Sequence, residues 1–400
     1  MKKTILLTGG TGLLGSHLGY EFLKRGDHVI YLARSQRFRP AAERVTSVLQ
    51  RMDPHVVQHC PGSFEIWEGD VTQLHLGQSP ATIDAWRGRI DEVWHSAAVL
   101  HFRDTYEEIT EAININGTVK VLNTARELGV TRFHHISTAY VSGTAPGVVL
   151  ETNHAHSYDF RNPYERTKYD AEQEVRRKSA EYGLATTIYR PAVIVGDSTT
   201  GRALNFTGFY NIAKIFFLIR RVLQRRIHEN PELYRKAGIY ADGDRLVFPL
   251  KFPCAPDSTI NLVPIDYVVR TMLELAASPE SAGQTYHITN PHPPRIVELM
   301  REGCRMVKLE GIEFVNCSFS NALQLIRQEI DDYAKLGLNI SFCMEIREYI
   351  HYFFGEPLFD VSNVRHTLRH RFVEPPAITP RLLHTLLSYA SSHQWRSAIP

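Results

Sequence analysis

The sequence predicts an α/β protein, a doubly wound parallel sheet followed by a smaller, mostly helical region. Between residues 3 and 196, short apolar runs alternate with segments of helical spacing, which is the order produced when helices connect parallel strands. The apolar runs are nearly continuous, as in strands that helices cover on both faces. After residue 196 the alternation stops, and scattered glycines and prolines indicate a different kind of structure.

The predicted elements follow one another in a regular order. Glycine ends the first strand and the first helix, and apolar spacing separates the later elements. The predicted strands are 3–9, 28–34, 64–70, 91–98, 132–138 and 184–196, and the predicted helices are 13–26, 41–52, about 104–128 and 163–183. A strand, a turn and a helix at 259–276 and a strand at 284–290 resume the pattern. We therefore expect a core at 1–196 plus about 259–290, with 197–258 and 291–400 forming a cap.

Composition and charge exclude several classes of protein. The 45 basic and 43 acidic residues give a formal charge of +2, so no surface for nucleic acid is expected. Scattered cysteines, odd in number, predict reduced thiols and a cytoplasmic protein. They are Cys60, Cys254, Cys304, Cys317 and Cys343. His55, His59 and Cys60 have no second ligand cluster, so no metal site is predicted. No stretch is long and apolar enough to predict a transmembrane span.

The strongest motif lies between the first strand and the first helix. The stretch TGGTGLLG satisfies G-x-G-x-x-G at 10–15, and the overlapping frame Gly9, Gly12, Gly15 also fits. Glycine at these points permits a tight turn, close approach of the backbone to a pyrophosphate and close packing of helix on strand. Leu13 and Leu14 begin the helix whose free N–H groups would face the phosphates. The alternative is a glycine-rich turn without a ligand, but the context favours a Rossmann-type dinucleotide site.

The residues after the second strand predict the cofactor. An NAD site usually has an acidic residue there for the ribose hydroxyls, whereas this chain has Arg34, Arg37 and Arg39. A guanidinium suits the additional 2′-phosphate of NADP, so we predict NADP(H), with Arg34 as the principal contact. The alternative is a solvated basic loop. Asp70, which ends the third strand, is either a contact for the adenine edge or an ordinary turn residue.

A tyrosine and a lysine on one helix face are candidate catalytic residues. Tyr164 and Lys168 lie four residues apart, about one helical turn. Hydride transfer to a carbonyl leaves an oxyanion that needs a proton donor or a hydrogen-bond donor. A tyrosine is suited to this if a neighbouring ammonium lowers its pKa, and the lysine can also bond the nicotinamide ribose. Ser137 or Thr138, at the end of the preceding strand, supplies a second hydroxyl.

These motifs together resemble the extended short-chain dehydrogenase/reductase superfamily. TGGTGLLG, HSAAV, NINGT, ISTAYVSG, YERTK and YRPAVIVGD fall in that family's order over residues 4–197. A narrower likeness, to the thioester reductase and fatty acyl-CoA reductase branch, is carried by FHHISTAYVSG, RPAVIVGDSTTG, INLVPIDYV and TYHITNP. The resemblance implies that Thr138 is the catalytic Ser/Thr, Tyr164 the proton donor, and Lys168 its modulator and a ribose ligand. The residues implied to line the cofactor are Ser96, Ala97 and Pro191.

The resemblance also implies a reaction, the NADPH-dependent reduction of an acyl thioester to an aldehyde, with onward reduction to the alcohol left open. The first strand begins almost at once, so we expect the acyl group to arrive on coenzyme A or on a separate acyl carrier protein. The basic, apolar stretch 211–226 could face an acyl chain, a phosphopantetheine or, peripherally, a membrane, although an ordinary amphipathic cap helix is the simpler interpretation.

Two alternatives to a thioester reductase stay open. One is another enzyme of the superfamily: a sugar-nucleotide epimerase or dehydratase, or a hydroxysteroid-type dehydrogenase. The arginines after the second strand argue against an epimerase, which more often holds NAD. The other is a non-catalytic NADP-sensing regulator, for which an intact tyrosine–lysine couple is not expected.

Overall fold

A computed structural model describes residues 2–36, 38–153, 158–340 and 348–395. Arg37 and Cys343, both named above, lie outside these ranges. The strands are β1 (Thr4–Thr8), β2 (His28–Ala33), β3 (Ser63–Glu68), β4 (Glu92–His95), β5 (Arg132–Ile136), β6 (Val148–Val149), β7 (Ala185–Pro191), β8 (Val193–Val195), β9 (Tyr240–Asp242), β10 (Arg245–Val247), β11 (Lys251–Pro253), β12 (Leu262–Pro264), β13 (Thr285–Ile288), β14 (Leu309–Glu310), β15 (Glu313–Val315) and β16 (Leu358–Phe359).

The α-helices of the described ranges are α1 (Leu13–Lys24), α2 (Ala41–Met52), α3 (Val56–His59), α4 (Pro80–Trp86), α5 (Glu107–Glu111), α6 (Thr118–Glu127), α7 (Pro163–Tyr182), α8 (Phe209–Glu229), α9 (Pro231–Lys236), α10 (Ile265–Ala276), α11 (Ile296–Met306), α12 (Phe319–Lys335), α13 (Ser362–Leu368) and α14 (Pro380–Ser392). None of them is long and apolar enough to cross a membrane.

The central sheet confirms the predicted fold class. Its seven strands lie in the order β3-β2-β1-β4-β5-β7-β13, and every neighbouring pair is parallel. Alternate residues of each strand face opposite sides, so Ile5 and Leu7 pack in one buried cluster and Leu6 in another. The chain reverses its direction across the sheet between β1 and β4. Ligands of such sheets bind at this point, beyond the carboxyl ends of the strands.

The predicted strand 184–196 is two strands in the structure. The first strand, β7, pairs with β13. Ala192, the residue after β7, keeps this pairing, because its N–H donates to the carbonyl of Ile288 in β13 (3.1 Å). At the next residue the N–H of Val193 donates to Asn261 (3.1 Å), and β8 continues alongside β12. A continuous apolar run gives no signal for this change of partner.

The predicted helix 104–128 is interrupted. A π-helical segment, Ala112–Gly117, separates α5 from α6. Within it, the Asn114 side chain accepts from the N–H of Val99 (2.9 Å) and donates to its carbonyl (3.1 Å). The segment thereby fixes the loop that follows β4, which lies beside the site described below.

Outside the central sheet, most of the later chain forms a helical layer with its own apolar core. Side chains of α8, α11, α12 and α14 make up one buried cluster, together with the short strands of the 245–252 region. Phe216 and Leu386 are typical members, with 4% and 0% of their surface exposed. The amphipathic stretch 211–226 is therefore chiefly a packing helix, α8, as its simpler interpretation predicted.

Candidate active site

The glycine loop forms a cradle at the end of β1. Gly9 has a positive φ of +71°, and a Cβ there would lie 2.6 Å from the nitrogen of Ala97. A Cβ on Gly15 would lie 2.2 Å from the carbonyl oxygen of Gly9. The N–H of Gly12 donates to that same oxygen (2.9 Å), which closes the turn. Because Gly12 caps α1 without a side chain, the first-turn N–H groups are open to an anion, and this cradle fits a dinucleotide pyrophosphate.

Residues after β4 form the neighbouring wall. The N–H of Ser96 donates to the carbonyl of Thr8 (3.2 Å), and the N–H of Ala97 donates to the Thr8 hydroxyl (3.2 Å). Ala97 packs beneath Gly9, whereas Ser96 lines the open cleft. Two strands of the sheet are thus tied together directly below the glycine loop.

The three predicted catalytic residues line the same cleft. Tyr164 is the second residue of α7, and Asn162 caps that helix by accepting from the N–H of Glu165 (3.0 Å). Thr138 follows β5, and its hydroxyl lies near enough to the Tyr164 phenol to lower the pKa of that group. Its hydroxyl also accepts from the N–H of Tyr140 (3.3 Å).

The choice between Ser137 and Thr138 follows from their partners. The Ser137 hydroxyl donates to the buried carboxylate of Glu172 (2.9 Å), away from the tyrosine. Of the two hydroxyls, that of Thr138 is the one that influences the pKa of the Tyr164 phenol. The geometry therefore favours Thr138, in agreement with the family resemblance.

Lys168 is buried one turn after Tyr164. Its Nζ donates to the carbonyl of Ile136 at the end of β5 (2.7 Å). Burial lowers the pKa of Lys168 to about 8, although the Glu172 carboxylate opposes this effect. At neutral pH the ammonium is charged, and it lies at the cleft where a ribose hydroxyl could accept from it.

The expected acidity of Tyr164 is wrong for the free protein. Burial raises the pKa of the phenol to about 12, and the nearby Thr138 hydroxyl acts in the opposite direction. Lys168 directs its ammonium to the Ile136 carbonyl instead. The phenol therefore holds its proton at neutral pH, which is the state required of a proton donor in a reduction.

A cluster of arginines lies at the far end of the glycine loop. Arg34 donates to Asp70 (3.2 Å), and the Asp70 carboxylate also accepts from the backbone and hydroxyl of Thr72 in a turn. Arg39 lies 3.9 Å from Glu43. Neither Arg34 nor Asp70 lines the cleft itself, so their predicted contacts with the cofactor stay predictions.

Arg44 was missed by the sequence analysis. It is buried in the first turn of α2, donates to the carbonyl of Arg34 (2.6 Å) and reaches the hydroxyl of Thr11 in the glycine loop (3.4 Å). Its Nε has no hydrogen-bond partner among the described residues. Burial and the charges of Arg34 and Arg39 lower the pKa of Arg44, so an anion bound beside these three cations would favour its charged form. A helical arginine eleven positions beyond β2 carries no motif that could have identified it.

An open cleft lies between the glycine loop and the helical layer. The predicted residues on its surface are Gly12, Leu13, Leu14, Gly15, Ser96, Thr138, Tyr164, Lys168 and Pro191. Gly9 and Ala97 support it from behind. The wall that sequence reasoning did not identify includes Phe102, Tyr140, Asn205, Phe209, Tyr349 and Tyr352.

Metal-ligating groups do not cluster in the part of the chain that the structure describes. No set of three or more His, Cys, Asp or Glu side chains there could hold an ion. His59, named in the sequence analysis, is hydrogen-bonded to Asp53 (2.8 Å).

Comparison with known proteins agrees with this geometry. The model of the male sterility protein family, an NAD-binding family, matches residues 7–272. The chain belongs to this family. The predicted likeness to the reductase branch of the extended short-chain dehydrogenases is thereby confirmed, and so is the enzyme class, an NAD(P)-dependent oxidoreductase.

Similar proteins include larger reductases and synthases. Carboxylic acid reductase of Mycobacterium marinum is 23% identical over 307 residues, which cover 72% of this chain and 24% of that protein. The terminal R domain from the myxalamid PKS-NRPS pathway has a TM-score of 0.72 at 23% identity, covering 99% of this chain and 92% of that one. A thiolation-reductase di-domain from an archaeal non-ribosomal peptide synthetase has a TM-score of 0.70 at 21% identity, covering 99% and 76%. This chain spans about a quarter or less of the first curated relatives.

Proposed function

We propose that this protein reduces an acyl thioester to the aldehyde with NADPH. The observation that carries the proposal is the convergence of the glycine loop, Thr138, Tyr164 and Lys168 on one cleft. Two hydroxyl groups and an ammonium beside a dinucleotide cradle suit hydride transfer to a carbonyl. The similarity to a carboxylic acid reductase and to reductase domains of peptide synthetases supports a thioester as the carbonyl compound.

The cofactor proposal rests on the arginine cluster. Arg34 and Arg44 stand at the glycine loop, where the adenosine ribose of a dinucleotide would lie. A buried guanidinium with an unpartnered Nε, repelled by its neighbours, suits the doubly charged 2′-phosphate. NADP(H) is therefore favoured over NAD(H), with Arg44 added to the predicted Arg34.

In the proposed mechanism, a bound nicotinamide supplies the hydride to the thioester carbon. Thr138 and Tyr164 donate hydrogen bonds to the carbonyl oxygen as it becomes negative, and Tyr164 gives up its proton to that oxygen. Lys168 holds the ribose and compensates the phenolate that forms. The resulting hemithioacetal breaks its C–S bond, so that the aldehyde and a free thiol leave the site.

The thioester would be carried by coenzyme A or by an acyl carrier protein, and the likeness to a thiolation-reductase di-domain supports a carrier. We propose that residues 197–258 and 291–400 bind the acyl group, because cap residues such as Asn205, Phe209 and Tyr349 form the wall opposite the glycine loop. Aldehyde is the proposed product, with onward reduction to the alcohol as a further step of the same chemistry.

A substrate panel tests this function. Purified protein is mixed with NADPH or NADH and with acyl-CoAs, acyl-carrier proteins and UDP-sugars, while nicotinamide absorbance and products are followed. NADPH oxidation that depends on a thioester, with release of aldehyde and thiol, is expected. Turnover of UDP-sugars without any response to a thioester would favour an epimerase-type enzyme instead. Tight NADPH binding without turnover would favour a regulator.

A further inference from the structure

A segment of the cap is bonded to the start of the helix that carries Tyr164. The hydroxyl of Tyr352 accepts from Nδ2 of Asn162 (2.9 Å) and donates to Oε1 of Glu165 (2.9 Å). These two residues stand immediately before and after Pro163-Tyr164 in the chain. One hydroxyl, from a residue 188 positions later than Tyr164, therefore bridges the first turn of α7 around the proposed proton donor.

Glu165 depends on this contact because its side chain is fully buried. Its carboxylate also accepts from the N–H of Arg161 (3.0 Å), and the Arg161 guanidinium lies 3.6 Å away. Its own N–H donates to the capping Asn162 (3.0 Å). A buried carboxylate is stable only while such donors are in place, so the shape of this turn depends on Tyr352.

The ring of Tyr352 also contacts the surroundings of both proposed oxyanion donors. Its centroid is 6.0 Å from that of Phe102, which in turn is 6.3 Å from the Tyr164 ring. It meets Tyr140 edge-on at 5.7 Å, and the Tyr140 N–H donates to the Thr138 hydroxyl. The 349–356 segment therefore contacts residues that are themselves in contact with Tyr164 and with Thr138.

We propose that Tyr352 is a positioning residue for the reduction, one that holds the Tyr164 phenol in place through Asn162 and Glu165. The inference rests on the proposed role of Tyr164. The two donors of the oxyanion site are correctly placed only while the 349–356 segment is docked on α7. Tyr352 is not a proton donor itself, because its hydroxyl proton is directed to Glu165.

The test compares Tyr352→Phe in the wild-type and Tyr164→Phe backgrounds, by single-turnover reduction of the best thioester at high enzyme concentration. In the wild-type background we expect the single-turnover rate to fall about tenfold to 100-fold, with the dissociation constant for NADPH changed by less than about twofold. If Tyr352 acts through Tyr164, the substitution has no further effect once the phenol is gone. Equal losses in both backgrounds, or no loss in the first, would overturn the proposal.

Controls separate positioning from stability. Tyr333→Phe removes another hydroxyl of the helical layer, one that donates to the Pro249 carbonyl. It should change the single-turnover rate by the same factor in the wild-type and Tyr164→Phe backgrounds. If Tyr352→Phe does not fold, Glu165→Gln replaces it, because the amide keeps the shape of the carboxylate and should show the same dependence on Tyr164. A Tyr164→Phe variant that turns over like the wild type would instead remove the proposed proton donor, and the positioning role with it.

Discussion

Replacing Glu172 with glutamine should cost the protein about 3 kcal/mol of unfolding free energy. Glu172 lies one turn after Lys168 on α7, with none of its side chain exposed. Its carboxylate accepts from the Ser137 hydroxyl (2.9 Å), from Nε and Nη2 of Arg190 (3.1 and 2.5 Å) and from Arg176 (2.8 Å). Arg190 is itself 1% exposed, so the amide would remove the carboxylate charge that compensates a buried guanidinium.

The magnitude follows from the acidity of this carboxyl. Arg190 and Arg176 lower the pKa of Glu172 from 4.5 to about 2 against the effect of burial. At about 1.4 kcal/mol per tenfold change, that difference corresponds to about 3 kcal/mol. Because the folded-state pKa is depressed, this stability is present above pH 4.5 and is lost as pH falls toward about 2. The difference in unfolding free energy between wild type and Glu172→Gln should therefore decrease as the pH falls below 4.5.

Urea denaturation at neutral pH, followed by tryptophan fluorescence, measures this loss. Glu174→Gln is the matched control on the same helix, since Glu174 pairs with Arg177, whose side chain is 58% exposed. The control should change the unfolding free energy by less than about 0.5 kcal/mol. If Glu172→Gln cost no more than its control, the buried network would not stabilise this region.

Three further predictions concern the cofactor. The value of kcat/KM should fall as pH rises through about 8, because the Lys168 ammonium then loses its proton, and a flat profile would contradict the assignment. Gly15→Ala should weaken NADPH binding more than about tenfold in a fluorescence titration, since its Cβ would lie 2.2 Å from the Gly9 oxygen. Arg44→Met should lower the NADPH-to-NADH ratio of kcat/KM by about tenfold, and an unchanged ratio would exclude Arg44 from the 2′-phosphate site.

Local patterns predicted the strands of the central sheet because each apolar run is bounded by residues that disfavour continuation of the strand. The second predicted helix, 41–52, coincides with α2, and the strands of the first half differ from prediction by at most a few residues at each end. The sequence analysis missed α4, although Ser79 and Pro80 carry an N-cap signal, and the Ser79 hydroxyl does accept from the N–H of Thr82 (3.1 Å).

Contacts between segments that lie far apart in the chain could not be predicted from the sequence. The split of 184–196 depends on Asn261 offering a carbonyl to Val193, and the role of Tyr352 depends on a partner on α7. The pKa of Tyr164 was predicted in the wrong direction because Y-x-x-x-K spacing gives the distance between two groups along a helix but not their burial. Motifs predicted the proposed reacting groups, whereas the helical layer around them required the structure.

The Tyr164 phenol is the proposed proton donor to the substrate of an NADPH-dependent reduction. The most direct measurement compares wild type and Tyr164→Phe for NADPH affinity and for thioester reduction on the same preparations. The account predicts an unchanged dissociation constant for NADPH and a fall in kcat of about 100-fold or more. Equal kcat values for the two proteins would contradict it.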